Sequence, residues 1–366
     1  MTISEGQVLE ALSTVIDPDL GKDLVTLNMI KDVKTDETTI GFTVELTTPA
    51  CPLKEVIRKD CENAIHKKFG EDINIEILMS SNVTTSRLVG STSLPGIKNI
   101  IAVASGKGGV GKSTVTANLA VSLARNGAKV GLIDADIFGP SMPMMFNCEN
   151  QQPQAIEKDG KTMIVPIEQY GVKIMSIGFL TPPDSAVVWR GPMASSALKQ
   201  FFTDSDWGDL DYLFVDLPPG TSDIHLTLVQ SVPVTGVVIV TTPQKVAVAD
   251  AIKATSMFQQ PQINVPVLGV IENMAYFTPE DMPENKYYIF GEGGGQHLSE
   301  KFDIPLLGQI PLVQAVRESG DNGYPLSLKE HITANAFIKT SQAMAQQVAI
   351  RNATKSQTKP VEITTM

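Results

Sequence analysis

The sequence predicts an α/β protein, a doubly wound and mostly parallel sheet preceded by a small α+β domain. Three observations carry this. From residue 97 onward, apolar β-branched runs alternate with helical stretches, the βαβα order of a parallel sheet. One such run, Ile100, Ile101 and Val103, stops at Ser105 and gives way to a loop with four glycines and then to helix formers. The first eighty residues hold two helical stripes and two alternating strands of their own. The expected division is a small domain over 1–79, a linker over 80–96, a large α/β domain over 97–352 and a polar tail over 353–366.

Composition narrows the class. With 366 residues the chain is long enough for two domains. No apolar run approaches the ~20 residues of a membrane span. The opening MTISEGQVLEAL has neither a basic start nor a long apolar stretch, so no secretory signal is expected. Three scattered cysteines make no even disulfide framework, which suits a reducing cytoplasm. A net charge of −11 argues against a general nucleic-acid-binding face.

In the small domain, Val8, Leu9, Leu12, Val15 and Ile16 form a helical stripe over Ile3–Ile16, ended by Asp17-Pro18. Thr38–Leu46 alternates as a strand. A helix over Pro52–Phe69 follows, with Cys61 on its apolar stripe and His66 off it, and Ile73–Met79 is a second strand. Cys51 sits at the loop-to-helix junction, where a helix N-terminus would stabilise a thiolate. A metal or cluster ligand and a cysteine packing a turn both fit that position. Ser80–Gly96 is rich in Ser, Thr and Gly and reads as a linker.

Lys98–Asn118, KNIIAVASGKGGVGKSTVTAN, sets the chemistry. Gly106, Gly111, Lys112 and Ser113 satisfy G-x-x-x-x-G-K-[ST] between a strand and a helix, the context of a phosphate-binding loop. Backbone N–H groups over Gly106, Lys107, Gly108, Gly109, Val110, Gly111, Lys112, Ser113 and Thr114 would surround an anion. Lys112 would reach the β- and γ-phosphates of ATP, and Ser113 would hold Mg²⁺. Ala128–Asp134 is the next strand and leads into Asp134-Ala-Asp136, carboxylates at a strand end facing the ligand crevice. Asp211–Asp216 is a strand ending in a carboxylate suited to a Mg²⁺-bound water. After it, Gly220 would offer its N–H to the γ-phosphate, and Thr221-Ser-Asp223 caps a helix. Gly236–Thr242 and Val265–Glu272 are buried strands around a helix over Val246–Gln260, Asn273 lies just past the second, and Leu307–Pro311 is the last strand. His331–Asn352 reads as a helix packed on the sheet, without the basic amphipathic character of a membrane anchor. The tail after it is polar and is expected to be disordered.

The wording of these motifs is narrower than the chemistry requires. Lys107-Gly-Gly-Val-Gly-Lys112-Ser resembles the deviant Walker A loop of the ParA/MinD/nitrogenase-iron-protein class of ATPases. That resemblance implies a nucleotide-dependent homodimer in which Lys107 reaches the partner's nucleotide. It also implies that Asp136 positions water near Mg²⁺, with Asp134 in support, and that Asn273 recognises adenine. DADIFGPS and Val188-Trp-Arg-Gly-Pro-Met193 resemble the Mrp/ApbC family of iron–sulfur carrier ATPases. Within the latter, Trp189 reads most simply as packing and Arg190 as surface, with a phosphate or partner contact as the alternative for Arg190. DPDLGKDLVTLNMIKDV with LTTPACPL resembles an accessory domain of iron–sulfur cluster assembly factors.

The resemblance has one gap. In many relatives the segment equivalent to Met274–Phe290 carries a CxxC pair, and two pairs meeting across a dimer hold one [4Fe–4S] cluster. Here MAYFTPEDMPENKYYIF has no cysteine, although the following Phe290–Gly295 turn is family-like. A bound cluster would then fall to Cys51, with Cys148 and Cys61 behind it. The implied function is a cytoplasmic, slowly hydrolysing, Mg²⁺-dependent ATPase that carries iron–sulfur clusters to apoproteins. Its expected partners are a second copy, apo iron–sulfur proteins and assembly factors, with no nucleic acid and no membrane. A ParA/MinD-like positioning ATPase and an adaptor that no longer binds a cluster stand as alternatives.

Overall fold

The computed structural model describes residues 3–87, 94–137, 139–180, 191–279 and 281–361. Phe138, Trp189 and Arg190 lie outside the described residues. The chain divides into two compact units, one of 1–84 with 349–355 and one of 85–348 with 356–366.

The first unit begins with α1 (Glu5–Leu12), whose N-cap Ser4 forms a reciprocal capping box with Gln7. The helix is shorter than its apolar stripe. Ile16 leaves it to pair with Asp23, as Ile16–Asp17 (β1) and Lys22–Asp23 (β2) run antiparallel. Ile30–Thr35 (β3), Thr39–Leu46 (β4) and Asn74–Ser81 (β5) form one sheet, antiparallel between β3 and β4 and parallel between β4 and β5. β3 has no simple alternation in sequence, because its register with β4 shifts between Lys31 and Lys34 and Asp32 has φ +50°. α2 (Lys54–Phe69) lays Ile57, Cys61 and Ile65 on this sheet, where Leu12, Ile40, Phe42 and Val44 complete the core.

The second unit is built on Ile97–Ala104 (β6), followed by α3 (Lys112–Arg125), Val130–Asp134 (β7) and α4 (Met142–Met145). An exposed hairpin follows, Gln154–Lys158 (β8) and Lys161–Val165 (β9), then Ile167–Gln169 (β10) and Val172–Ser176 (β11). α5 (Gly191–Thr203), β12 (Leu210–Asp216), α6 (Asp223–Ser231), β13 (Gly236–Thr241) and α7 (Lys245–Gln259) continue the alternation. β14 (Val267–Phe277), α8 (Gly294–Phe302), β15 (Leu306–Leu312) and α9 (Gln314–Asp321) complete it, and α10 (Ala334–Thr354) begins in this unit and ends among the residues of the first. The eight-stranded sheet has the order β10-β11-β7-β12-β6-β13-β14-β15, parallel except between β10 and β11. β7 and β13 are buried throughout, as strands covered by helices on both faces must be. β6 lies between β12 and β13, so the loop after it opens into the crevice at the carboxyl ends of the sheet.

Two expectations change here. β14 does not end at Glu272 but continues to Phe277, so Asn273 is a strand residue paired with Ile310. The described part of the tail is tied down rather than disordered: Thr358 N–H donates to Ser86 O at 3.0 Å and Val361 N–H to Val229 O at 2.8 Å. Those backbone bonds hold a segment whose composition alone offers no core.

Candidate functional site

The site begins with the turn between β6 and α3. Gly109 and Gly111 have φ of +82° and +80°, the left-handed region that glycine adopts without strain. Gly106 is required for a different reason: a Cβ there would come within 2.1 Å of the Asp250 backbone on α7. The loop therefore curls tightly, and Lys107–Thr114 line a cavity of about 220 Å³ together with Ser105, Asp136, Ser141, Met145 and Pro219. The N-terminus of α3 contributes its partial positive charge to the same space.

Asp216 is the hub beneath the loop. Lys112 Nζ donates to its Oδ2 at 2.8 Å, Ser113 Oγ to Oδ2 at 2.6 Å and Thr116 Oγ1 to Oδ1 at 2.7 Å. Asp216 is fully buried and Lys112 nearly so. Sequence reasoning assigned Lys112, Ser113 and Asp216 but missed Thr116, which lies one helical turn past Lys112 on the same face.

Asp134 stands beside Asp216 in the sheet, the two being register partners at the ends of β7 and β12. Burial, and then the neighbouring Asp216, push its carboxyl up to about 7. It accepts backbone N–H groups from Asp136 (3.3 Å), Ser141 (3.0 Å) and Met142 (3.1 Å), and Ser176 Oγ at 3.1 Å. Asp134 thus shapes the loop that carries Asp136, which itself borders the cavity. Lys107 is exposed at the mouth, and its side chain makes no ion pair among the described residues. Ser105 Oγ donates to its carbonyl at 3.1 Å.

Two expected ligand contacts are otherwise engaged. The Gly220 N–H, assigned to a γ-phosphate, donates to Ser105 O at 2.8 Å, so in this conformation it is used within the protein. Asn273 Nδ2 donates to Val110 O at 2.9 Å. Asn273 also borders a second cavity of about 260 Å³ with Met274, Pro311, Leu312 and Val313, and Gly111 and Thr114 belong to both cavities. Past the Gly220 turn, His225 closes the cap of α6: the Ser222 N–H donates to its Nδ1 at 3.2 Å. Sequence reasoning missed this histidine, whose cue was the spacing Ser-x-x-His at a helix start.

The cysteines fare differently. Cys51 is half-buried two residues before the N-cap of α2. Burial raises its pKa more than the Leu53 and Lys54 amides lower it, and Asp19 and Asp17 add to the rise. The thiolate expected from the helix terminus is therefore corrected to a thiol. Cys61 and Cys148 are buried, with pKa values pushed up to about 12 by burial, and neither is presented as a ligand. Among the described residues no group of three or more His, Cys, Asp or Glu side chains is arranged to hold a metal ion. The cysteine-free segment is closed by reciprocal backbone bonds between Phe277 and Tyr287 at 2.8 and 2.9 Å, with Lys286 Nζ 4.4 Å from the Tyr276 ring centre.

Comparison with known proteins agrees with this geometry. Residues 96–349 match the family model described as NUBPL iron-transfer P-loop NTPase, and residues 5–77 match the model for an iron–sulfur cluster assembly protein. The iron–sulfur cluster carrier protein of Synechocystis is 47% identical over 93% of this chain and 96% of its own length. The carrier protein of Escherichia coli is 42% identical over 94% of this chain and 92% of its own length. A solved nucleotide-binding protein from Archaeoglobus fulgidus in complex with ADP is 39% identical, with a TM-score of 0.56, over 65% of this chain and 91% of that one. With a family model covering most of its length and relatives alike over more than nine-tenths of it, the chain belongs to the NUBPL iron-transfer P-loop NTPases.

Proposed function

We propose that this protein is an ATP-driven carrier that binds iron–sulfur clusters and delivers them to apoproteins. The observation that carries the reading is the Lys112–Ser113–Asp216 cluster beneath a glycine-shaped cavity, in a chain that also bears an iron–sulfur assembly domain. The relatives named as cluster carriers support it over more than nine-tenths of their length.

The loop amides and Lys112 bind the phosphates of ATP, and the second cavity receives the base beside Asn273. The hydroxyl of Ser113 and the carboxylate of Asp216 are hard oxygen donors 2.6 Å apart, a set that suits Mg²⁺, with Asp136 on the same cavity. Bound Mg²⁺ would neutralise developing phosphate charge. Asp136 orients the attacking water, and Lys107 crosses to the nucleotide of a second copy in a nucleotide-dependent homodimer. Hydrolysis is slow and sets the state of the carrier rather than metabolic flux. Cargo exchange takes place in the cytoplasm with assembly factors and apo iron–sulfur proteins, and Cys51 is the thiol on this chain best exposed to the cargo.

A second reading has its own support. The absence of cysteine from 274–290 and the burial of Cys61 and Cys148 suit an adaptor that kept the ATPase without the cluster. Anaerobic reconstitution with iron and sulfide, followed by transfer to an apo-ferredoxin with and without ATP, separates the two. The carrier reading expects a visible-absorbing species that activates the acceptor. A protein that hydrolyses ATP but never gains or transfers such a species is the adaptor.

A further inference from the structure

We propose that Asn273 is a positioning residue that couples the base pocket to the shape of the phosphate loop. The inference rests on reading the site as a nucleotide pocket and goes beyond base recognition.

Asn273 reaches the loop from 163 positions away in sequence, donating Nδ2 to Val110 O at 2.9 Å. A trans peptide points its C=O and the following N–H in opposite directions. Holding the Val110 carbonyl towards Asn273 therefore turns the Gly111 N–H away from it, and a flip of this peptide would break the bond. The amide also lies close against the loop, since a Cβ on Gly111 would lie 2.2 Å from Nδ2. The brace is itself fixed: Asn273 is 5% exposed and its backbone is paired with Ile310 inside β14.

The other edge of the amide is directed differently. Oδ1 makes no hydrogen bond among the described residues, and Asn273 lines the cavity assigned to the base. With one Nδ2 hydrogen committed to Val110, the side chain offers a base its Oδ1 acceptor and the one remaining N–H. The open Oδ1 can accept from the 6-amino group of adenine. A single amide thus meets the base on one edge and sets the peptide before α3 with the other.

Tripolyphosphate, which has no base, isolates the second role. Its affinity for the full chain is measured by calorimetry, next to ADP, for wild type, Asn273→Ala and Asn273→Asp, with thermal midpoints verifying folding. Coupling predicts that both variants lose about tenfold in tripolyphosphate affinity, the worth of about one hydrogen bond. Asn273→Asp, which keeps an acceptor for the base, still gains as much affinity for ADP over tripolyphosphate as the wild type does, whereas Asn273→Ala gains less. Unchanged tripolyphosphate binding with weakened ADP binding would mean that Asn273 reads the base alone, and overturns the coupling. A loss confined to Asn273→Asp would be charge repulsion and overturns it too. If Asn273→Ala does not fold, the near-isosteric and uncharged Asn273→Leu takes its place, and unchanged tripolyphosphate affinity in that variant overturns the coupling. A wild type that binds neither ADP nor tripolyphosphate removes the nucleotide reading itself.

Discussion

Lys112 Nζ lies 2.8 Å from Asp216 Oδ2, and this ion pair is almost wholly removed from water. The lysine that would meet phosphate and the carboxylate that would meet Mg²⁺ thus neutralise one another within the site. Removing one partner of a buried pair strands the other, which typically costs about 3–5 kcal/mol. Asp216→Ala should therefore be destabilised by that order in urea denaturation, because the buried Lys112 ammonium loses its counter-charge. Lys112→Ala should hydrolyse no ATP above background in a phosphate-release assay. Normal turnover in that variant would remove the P-loop assignment.

Lys107 is exposed and has no ion-pair partner among the described residues, so its fold contribution is small. Lys107→Ala should keep its stability to within about 0.5 kcal/mol, the usual range for surface substitutions. Light scattering with ATP and Mg²⁺ should nevertheless show the variant remaining monomeric where the wild type dimerises. A variant that dimerises normally would exclude the reach across the dimer.

His225 makes stability depend on pH. Burial pulls its pKa from 6.5 down to about 4. The unfolded chain therefore binds the proton more tightly than the folded one. The contribution is complete above about pH 6.5 and is lost as pH falls through about 4, on the order of 3 kcal/mol in all. His225→Gln, which keeps an acceptor for the Ser222 N–H, should lose less stability than wild type between pH 7 and pH 4. Parallel urea-denaturation curves for the two proteins at both pH values would contradict this.

Cys51 is the only one of the three cysteines that is not fully buried. Cluster reconstituted into Cys51→Ala should be lost or bleach within minutes on gel filtration, whereas Cys61→Ala should load like wild type at lower stability. Because burial holds the Cys51 thiol protonated, loading of the wild type should also quicken as pH is raised from 7 to 9. A cluster that survives Cys51→Ala locates the ligands elsewhere.

What the sequence disclosed was local. Gly106 to Ser113 can be read because turn, strand and helix are contiguous, and Asp216 because a buried strand ends on a carboxylate. The bond from Asn273 to Val110 and the bond from Ser176 to Asp134 could not be read, since they depend on how strands lie side by side. β3 escaped notice because the shift at Asp32 destroys its period of two. The hairpin of β8 and β9 was legible and was overlooked: Asp159-Gly160 has φ of +52° and +73°, a favoured two-residue turn signal. The pKa of Cys51 was misjudged because a helix terminus can be seen in sequence, whereas the protein packed around a thiol and the nearby Asp17 and Asp19 cannot.

The bond from Gly220 N–H to Ser105 O has a consequence for timing. It ties the loop after β12 to the end of β6, so the loop has a resting position before any ligand arrives. A phosphate that recruits this amide must first displace a carbonyl, at a cost of about 1 kcal/mol. A nucleotide lacking its terminal phosphate gives no reason for that exchange. If the terminal phosphate does recruit Gly220, its departure would let the loop fall back to Ser105, resetting the loop without a further signal.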